Sequence, residues 1–169
     1  HRDLHSFPTR RSSDLGIEPG DVVMHASVLS MWIAGIPGVD SMMAYGVCLV
    51  PVGALSGVER VAQIARDTRP KSIKCTVSFA QYLVKHMEER TGIDPRTLGL
   101  EKVVVFGEPG GSIPEIYEPL EKGFGGAMVH DIMGATGCHS PTGISCEEHN
   151  GIHFYAEDNA MFEICDPES

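Results

Sequence analysis

No stretch of this sequence is apolar for long enough to cross a bilayer. Asp40 and several Gly and Pro residues interrupt its richest apolar run, Met24 to Val52. Basic clusters are missing as well. Lys and Arg number 13 against 23 Asp and Glu, a net charge of −10, which argues against a nucleic-acid partner. No Cys-x-x-Cys occurs among the five cysteines, Cys48, Cys75, Cys138, Cys146 and Cys165. Their odd count, their wide spacing and the lack of a credible secretion signal argue against a disulfide framework and a thiol redox role. Cys48 and Cys75 sit in apolar, strand-like runs and read as small buried hydrophobes. There is no internal repeat and no low-complexity linker. A hydrophobic content of 42% and a charged content of 21% over 169 residues suit one domain with a real core. The expectation is a cytoplasmic protein with neither membrane nor nucleic acid as partner.

Strand and helix patterns alternate along the chain. Asp21 to Ala26 reads as a short buried strand, Ser30 to Tyr45 as partly helical, and Cys48 to Val52 as a strand. Ser56 with Glu59 has capping-box spacing, and Val58, Val61, Ala62 and Ala65 recur behind it at helical period. Ser72 to Val77 alternates as a strand. Ser78 with Gln81 is a second capping box, opening a helix that Thr91-Gly92 closes. Glu101 to Phe106 is rich in Val and reads as a strand. Ser112 with Glu115 is a third capping box, whose helix is expected to break near Pro119 or Gly123. Ala127 to Met133 reads as a strand. Gly151 to Ala156 and Ala160 to Cys165 read as a short strand pair at the C-terminal end. The fold class is therefore α/β, a mostly parallel sheet flanked by helices. In such sheets ligands bind beyond the carboxyl ends of the strands.

Two motifs follow strands at that edge. Gly107-Glu108-Pro109-Gly110-Gly111 joins a strand to a helix, and its glycines let backbone approach a flat ligand. By itself it is more often a plain β-α turn. Asp131-Ile132-Met133-Gly134-Ala135-Thr136-Gly137 is the second. A cysteine and histidine cluster follows: Cys138, His139, Cys146, His149 and His153. Thiolate and imidazole suit zinc, which takes four such ligands in a structural site; Cys138, Cys146, His149 and His153 make one set of four. The plainer reading is a polar loop with scattered Cys and His. Glu157-Asp158 reads as a solvated turn, and His25 as core or pocket lining without a role.

The order of these motifs resembles the phenylacetate–coenzyme A ligase family of adenylate-forming enzymes. The resemblance runs from Gly16-Ile17-Glu18-Pro19-Gly20-Asp21-Val22, through Ile93-Asp94-Pro95-Arg96, to Asp166-Pro167-Glu168. It implies that residues 16–169 are a fragment of the large N-terminal, AMP-binding domain. It implies that Gly107, Glu108 and Pro109 form a wall of the adenine pocket. Asp131 would bond the adenine amino group, Met133 would pack on the ring in place of the family's Tyr, and Gly134 and Thr136 would complete the segment. Gly137 stands where the family has a Glu that helps hold magnesium. Cys146 and His153 match a recurrent Cys and Gly-x-His pattern, and Glu157-Asp158 a recurrent acidic turn.

The implied activity is ATP-dependent activation of an aryl or arylacetic acid through an acyl-adenylate, followed by transfer to coenzyme A. ATP/AMP, coenzyme A and Mg2+ are the implied cofactors, with zinc possible and a small aryl carboxylic acid as partner. Two other readings stand beside it: a zinc-stabilised binding module without ligase chemistry, and an adenylating enzyme that loads a carrier protein. The family's phosphate loop is expected upstream of Gly16, and its catalytic Lys downstream of Ser169. His5 to Leu15 resembles the translation of a sequencing-adaptor oligonucleotide, so residues 1–15 are expected to be non-native and to make few contacts.

Overall fold

The computed structural model describes residues 15–135, 137, 140–154, 161, 163, 165 and 166. In chain order its elements are β1 (Val22–His25), α1 (Ile36–Ala44), β2 (Cys48–Pro51), α2 (Gly57–Thr68), β3 (Ser72–Cys75), α3 (Val77–Thr91), β4 (Lys102–Phe106), α4 (Pro114–Gly123), β5 (Met128–Ala135), β6 (Ser140–Ser145) and β7 (Ile152–Phe154). The strands form one sheet in the order β2-β1-β3-β4-β5-β6-β7. The first five are parallel; β6 and β7 join antiparallel. The α/β reading holds, and so does the mostly parallel sheet.

Side chains alternate across β4, so Val103 and Val105 enter one core and Val104 and Phe106 another. The larger core lies under α2, α3 and α4, where Val58, Val61, Ala62 and Ala65 are fully buried at the spacing the sequence shows. The second lies on the opposite face, around Ile17, Val23, Val104, Ile132 and Ile144. Leu15 is buried in it, so the expectation of few contacts fails at that residue; residues 1–14 lie outside the described ones. All four residues of β3 are buried, because a central parallel strand is covered on both faces and need not alternate. Cys75 is buried there, which pushes its thiol up to about 12. Cys48, expected to be buried, is exposed because β2 is the edge strand.

None of the three capping boxes forms as spaced. Ser56 Oγ donates to the Val52 carbonyl at 2.6 Å and caps nothing. The cap of α3 is Thr76, whose Oγ1 accepts the Phe79 N–H at 3.3 Å, leaving Ser78 inside the helix. Helix α4 starts at Pro114, whose fixed φ suits the first helical position, and it runs through Pro119 to Gly123. Gly92 closes α3 in the left-handed region, as its position predicts.

The largest departure is β6. Residues 140–145 read as part of a loop because Pro141 and Gly143 hide a strand. They pair with β5, with an irregularity between Met133 and Gly134. β7 then pairs with β6, whereas most of the expected partner, Ala160 to Cys165, lies outside the described residues.

His25, on β1, is wholly buried. Burial first, and the Lys74 ammonium second, lower its pKa from the usual 6.5 to about 4. Burial also lowers that of His130. The unfolded chain therefore binds more protons than the folded one between those values, so stability falls as pH drops from 6.5 towards 4. Urea midpoints measured across that window should decline in the wild type and decline less in His25→Gln. A flat wild-type profile would contradict this assignment.

Candidate functional site

Four parallel strands, β1, β3, β4 and β5, end at one edge. β4 pairs with β5 so that Phe106 faces Ile132, which sets Gly107 beside Met133. The two motifs singled out in the sequence are thus neighbours. Gly107 has φ +77, a conformation in which side chains are strained, and a Cβ there would lie 3.6 Å from the Trp32 ring. Gly107, Pro109, Met133 and Gly134 are exposed, as a ligand-facing edge requires.

Glu108 is held firmly. Its Oε2 accepts the Ser78 N–H at 2.7 Å and its Oε1 accepts the Ser78 hydroxyl at 2.8 Å. Ser78 lies in the first turn of α3, where N–H groups lack helical partners and the helix dipole favours an anion. The carboxylate therefore ties the β4–α4 turn to the start of α3. The sequence signal for this was Ser78, read as a cap; its partner is across space, not four residues on.

Asp131 is buried, with 8% of its surface exposed. Its Oδ2 accepts the Ser112 hydroxyl at 3.0 Å, and its own N–H donates to Ser145 Oγ at 2.8 Å. Burial pushes its carboxyl up from the ordinary value, and the Ser112 contacts oppose that. Gly111 packs directly on it. Ser112 and Ser145 were not identified as site residues from the sequence; each supports Asp131 from a different element. Thr136 lies outside the described residues.

The cysteine and histidine cluster is spread out. β6 carries the chain away from this edge over six residues, roughly 17 Å at the usual strand rise. Cys146 and His149 therefore lie at the opposite edge of the sheet. Cys146 lines one pocket with His153, Glu147 and Glu148. His149 turns elsewhere: its ring stacks on Tyr117 at 3.9 Å and 6°, and its Nε2 lies 3.2 Å from Glu121 Oε1. Among the described residues no three Cys, His, Asp or Glu side chains gather as metal ligands. Cys138, His139, Glu157 and Asp158 lie outside them. No helix among the described residues is long and apolar enough to cross a membrane.

No family model matches the chain. It is 31% identical over 157 residues to a phenylacetate–coenzyme A ligase of Thermus thermophilus, a match covering 91% of this chain and 34% of that protein. It superposes on an open conformation of 2-hydroxyisobutyryl-CoA ligase in complex with 2-HIB-AMP and CoA with a TM-score of 0.81 at 27% identity, covering 92% of this chain and 36% of that one. A benzoate CoA ligase from Burkholderia xenovorans shares the fold, with a TM-score of 0.65 at 16% identity over 80% of this chain and 27% of that one. The chain spans about a third of the length of these relatives.

Proposed function

We propose that this chain, a stretch of the phenylacetate–coenzyme A ligase family within the adenylate-forming acyl-CoA ligases, supplies the adenine wall of an AMP-forming acid–thiol ligase acting on an aryl or arylacetic acid. In this reading the acid's carboxylate attacks the α-phosphorus of ATP, giving an acyl-adenylate and pyrophosphate. The thiol of coenzyme A then attacks the acyl carbon and AMP leaves. The observation that carries the reading is Asp131, a buried carboxylate at the strand-end edge beside the exposed Gly107–Pro109 turn. A buried acceptor aimed at such an edge suits the exocyclic amino group of adenine, and flat backbone at Gly107 suits the face of the ring.

Coenzyme A is favoured over a carrier protein because the relatives at 31% and 27% identity are both CoA ligases by name. Aryl substrates enter through the first of them, whereas the second holds a hydroxy acid adduct. The residues do not fit a magnesium site. Gly137 offers no carboxylate, and none gather elsewhere among the described residues, so no step is assigned to that ion.

The test is acid-dependent formation of AMP and pyrophosphate by the full-length enzyme with ATP, coenzyme A and arylacetic acids. Absence of AMP with every acid would overturn the reading. Zinc belongs to the same experiment. Any zinc in this reading rests on Cys146 and His153, which share a pocket, and not on His149, which is engaged by Tyr117 and Glu121. Elemental analysis should give the same zinc content for His149→Ala as for wild type. A loss of zinc in that variant would restore His149 as a ligand.

A further inference from the structure

On the sheet face opposite Asp131, a narrow cavity of about 40 Å3 opens between α1 and the strands. Most of its wall is apolar, Val23, Met42, Val104 and Ile132 among it, but Lys74 lines it too, with Ser41 and Tyr45 of the α1 segment. Lys74 is only 6% exposed in the middle of a parallel sheet. A lysine there is costly to bury, and packing alone does not account for it. Next to it on β1, His25 is wholly buried, and neither ring nitrogen has a hydrogen-bond partner among the described residues. Its depressed pKa keeps it neutral near pH 7, with one ring nitrogen able to donate.

Aromatic rings connect this polar pair to the ligand edge. The His25 ring stacks on Phe106 at 6.2 Å and 9°, and Lys74 Nζ lies 5.3 Å from the Phe106 centroid. Trp32 packs on the same Phe106 at 5.8 Å and lies against Gly107. The edge thus leads from exposed glycine, through aromatic faces, to two buried nitrogen groups. The cavity is far below the roughly 150 Å3 that holds a benzene ring, yet it exceeds the ~10–15 Å3 that a single water requires. It has room for a substituent and not for a second ring.

We propose that Lys74 and His25 are specificity-determining residues that receive an oxygen substituent, hydroxyl or carboxylate, at the far end of an arylacetic acid. This rests on the ligase reading above and narrows it. The ring would lie along Trp32 and Phe106, and the distal oxygen would accept hydrogen bonds from the ammonium and the imidazole. Sites that hydrogen-bond a substrate group reject the analogue lacking it, because their own buried groups are then left unpaired.

The test compares phenylacetate, 4-hydroxyphenylacetate and 4-carboxyphenylacetate on the full-length enzyme. Pyrophosphate release gives kcat/KM for each, and calorimetry gives direct binding without turnover. The wild type should favour an oxygen-bearing acid over phenylacetate by on the order of tenfold or more. In Lys74→Met the ratio should fall towards one; Lys74→Gln serves if the Met variant fails to fold, and His25→Phe should act in the same direction. The hydroxyl and carboxyl acids separate a neutral acceptor from an anion. Equal use of all three acids by the wild type overturns the proposal. So does a variant that lowers all three together with the ratio kept, which is what a merely structural lysine would do. If no acid releases pyrophosphate, the ligase reading fails, and calorimetry decides the pocket alone: equal binding of the three acids sinks it.

Discussion

Replacing Asp131 by Ala in the full-length ligase is expected to weaken ATP binding by about 1–3 kcal/mol, roughly tenfold to a hundredfold. The loss follows from its position. The carboxylate is buried, yet within the described residues only Ser112 donates a side-chain hydrogen bond to it. A purine amino group is the donor that the proposed nucleotide would add, and removing the acceptor leaves that donor unpaired. The effect should fall on the base, so the preference for ATP over GTP should shrink with the affinity. Ser112→Ala should have a smaller effect in the same direction, because it loosens the carboxylate without deleting it. Calorimetry with both nucleotides checks this. Unchanged ATP affinity in Asp131→Ala would remove the residue from the adenine pocket.

The second large effect is expected at Gly111. An added Cβ there would collide with Val105 Cγ2 and come within 2.7 Å of Asp131 Cγ and 2.8 Å of its Cβ. Val105 is fully buried in the main core and Asp131 nearly so, and neither has room to retreat. Overpacking of this kind costs about 1–3 kcal/mol. Gly111→Ala should therefore lower Tm by several degrees, at roughly 2–4 °C per kcal/mol for a chain of this size. It should also weaken nucleotide binding, since whatever gives way moves Asp131. The neighbouring Pro109→Ala, at an exposed position, should change Tm little. Equal melting temperatures for Gly111→Ala and wild type would show that the turn is looser than its contacts imply.

The parallel part of the fold was legible because its signals are local and repeated. The β-α alternation, the apolar period of residues 58–65 and the Gly92 stop all act within a few positions, and each produced the element expected. What stayed hidden depends on partners across space. Ser56, Ser78 and Ser112 have the spacing of helix caps. Yet their hydroxyls bond a strand carbonyl, the Glu108 carboxylate and the Asp131 carboxylate, and no local pattern encodes those. β6 was hidden because Pro and Gly are acceptable near a sheet margin but look like a loop in one dimension. The same error made the cysteine and histidine cluster look compact. Residues close in sequence across a strand end up at opposite edges of a sheet, and Cys146 and His149 were carried away from the nucleotide edge in this way. Lys74 was visible only as a charge in an apolar run, and its pocket depends on α1 lying over the sheet.

The bridge between Glu108 and Ser78 has a mechanical consequence. Two successive loops that would each sway on its own strand share one anchor point, so a push on either is transmitted to the other. The rim they form behaves as a plate and not as two fingers. Whatever settles on it meets a surface whose shape is set beforehand, and the entropy of aligning the two loops is lost on folding and not on binding.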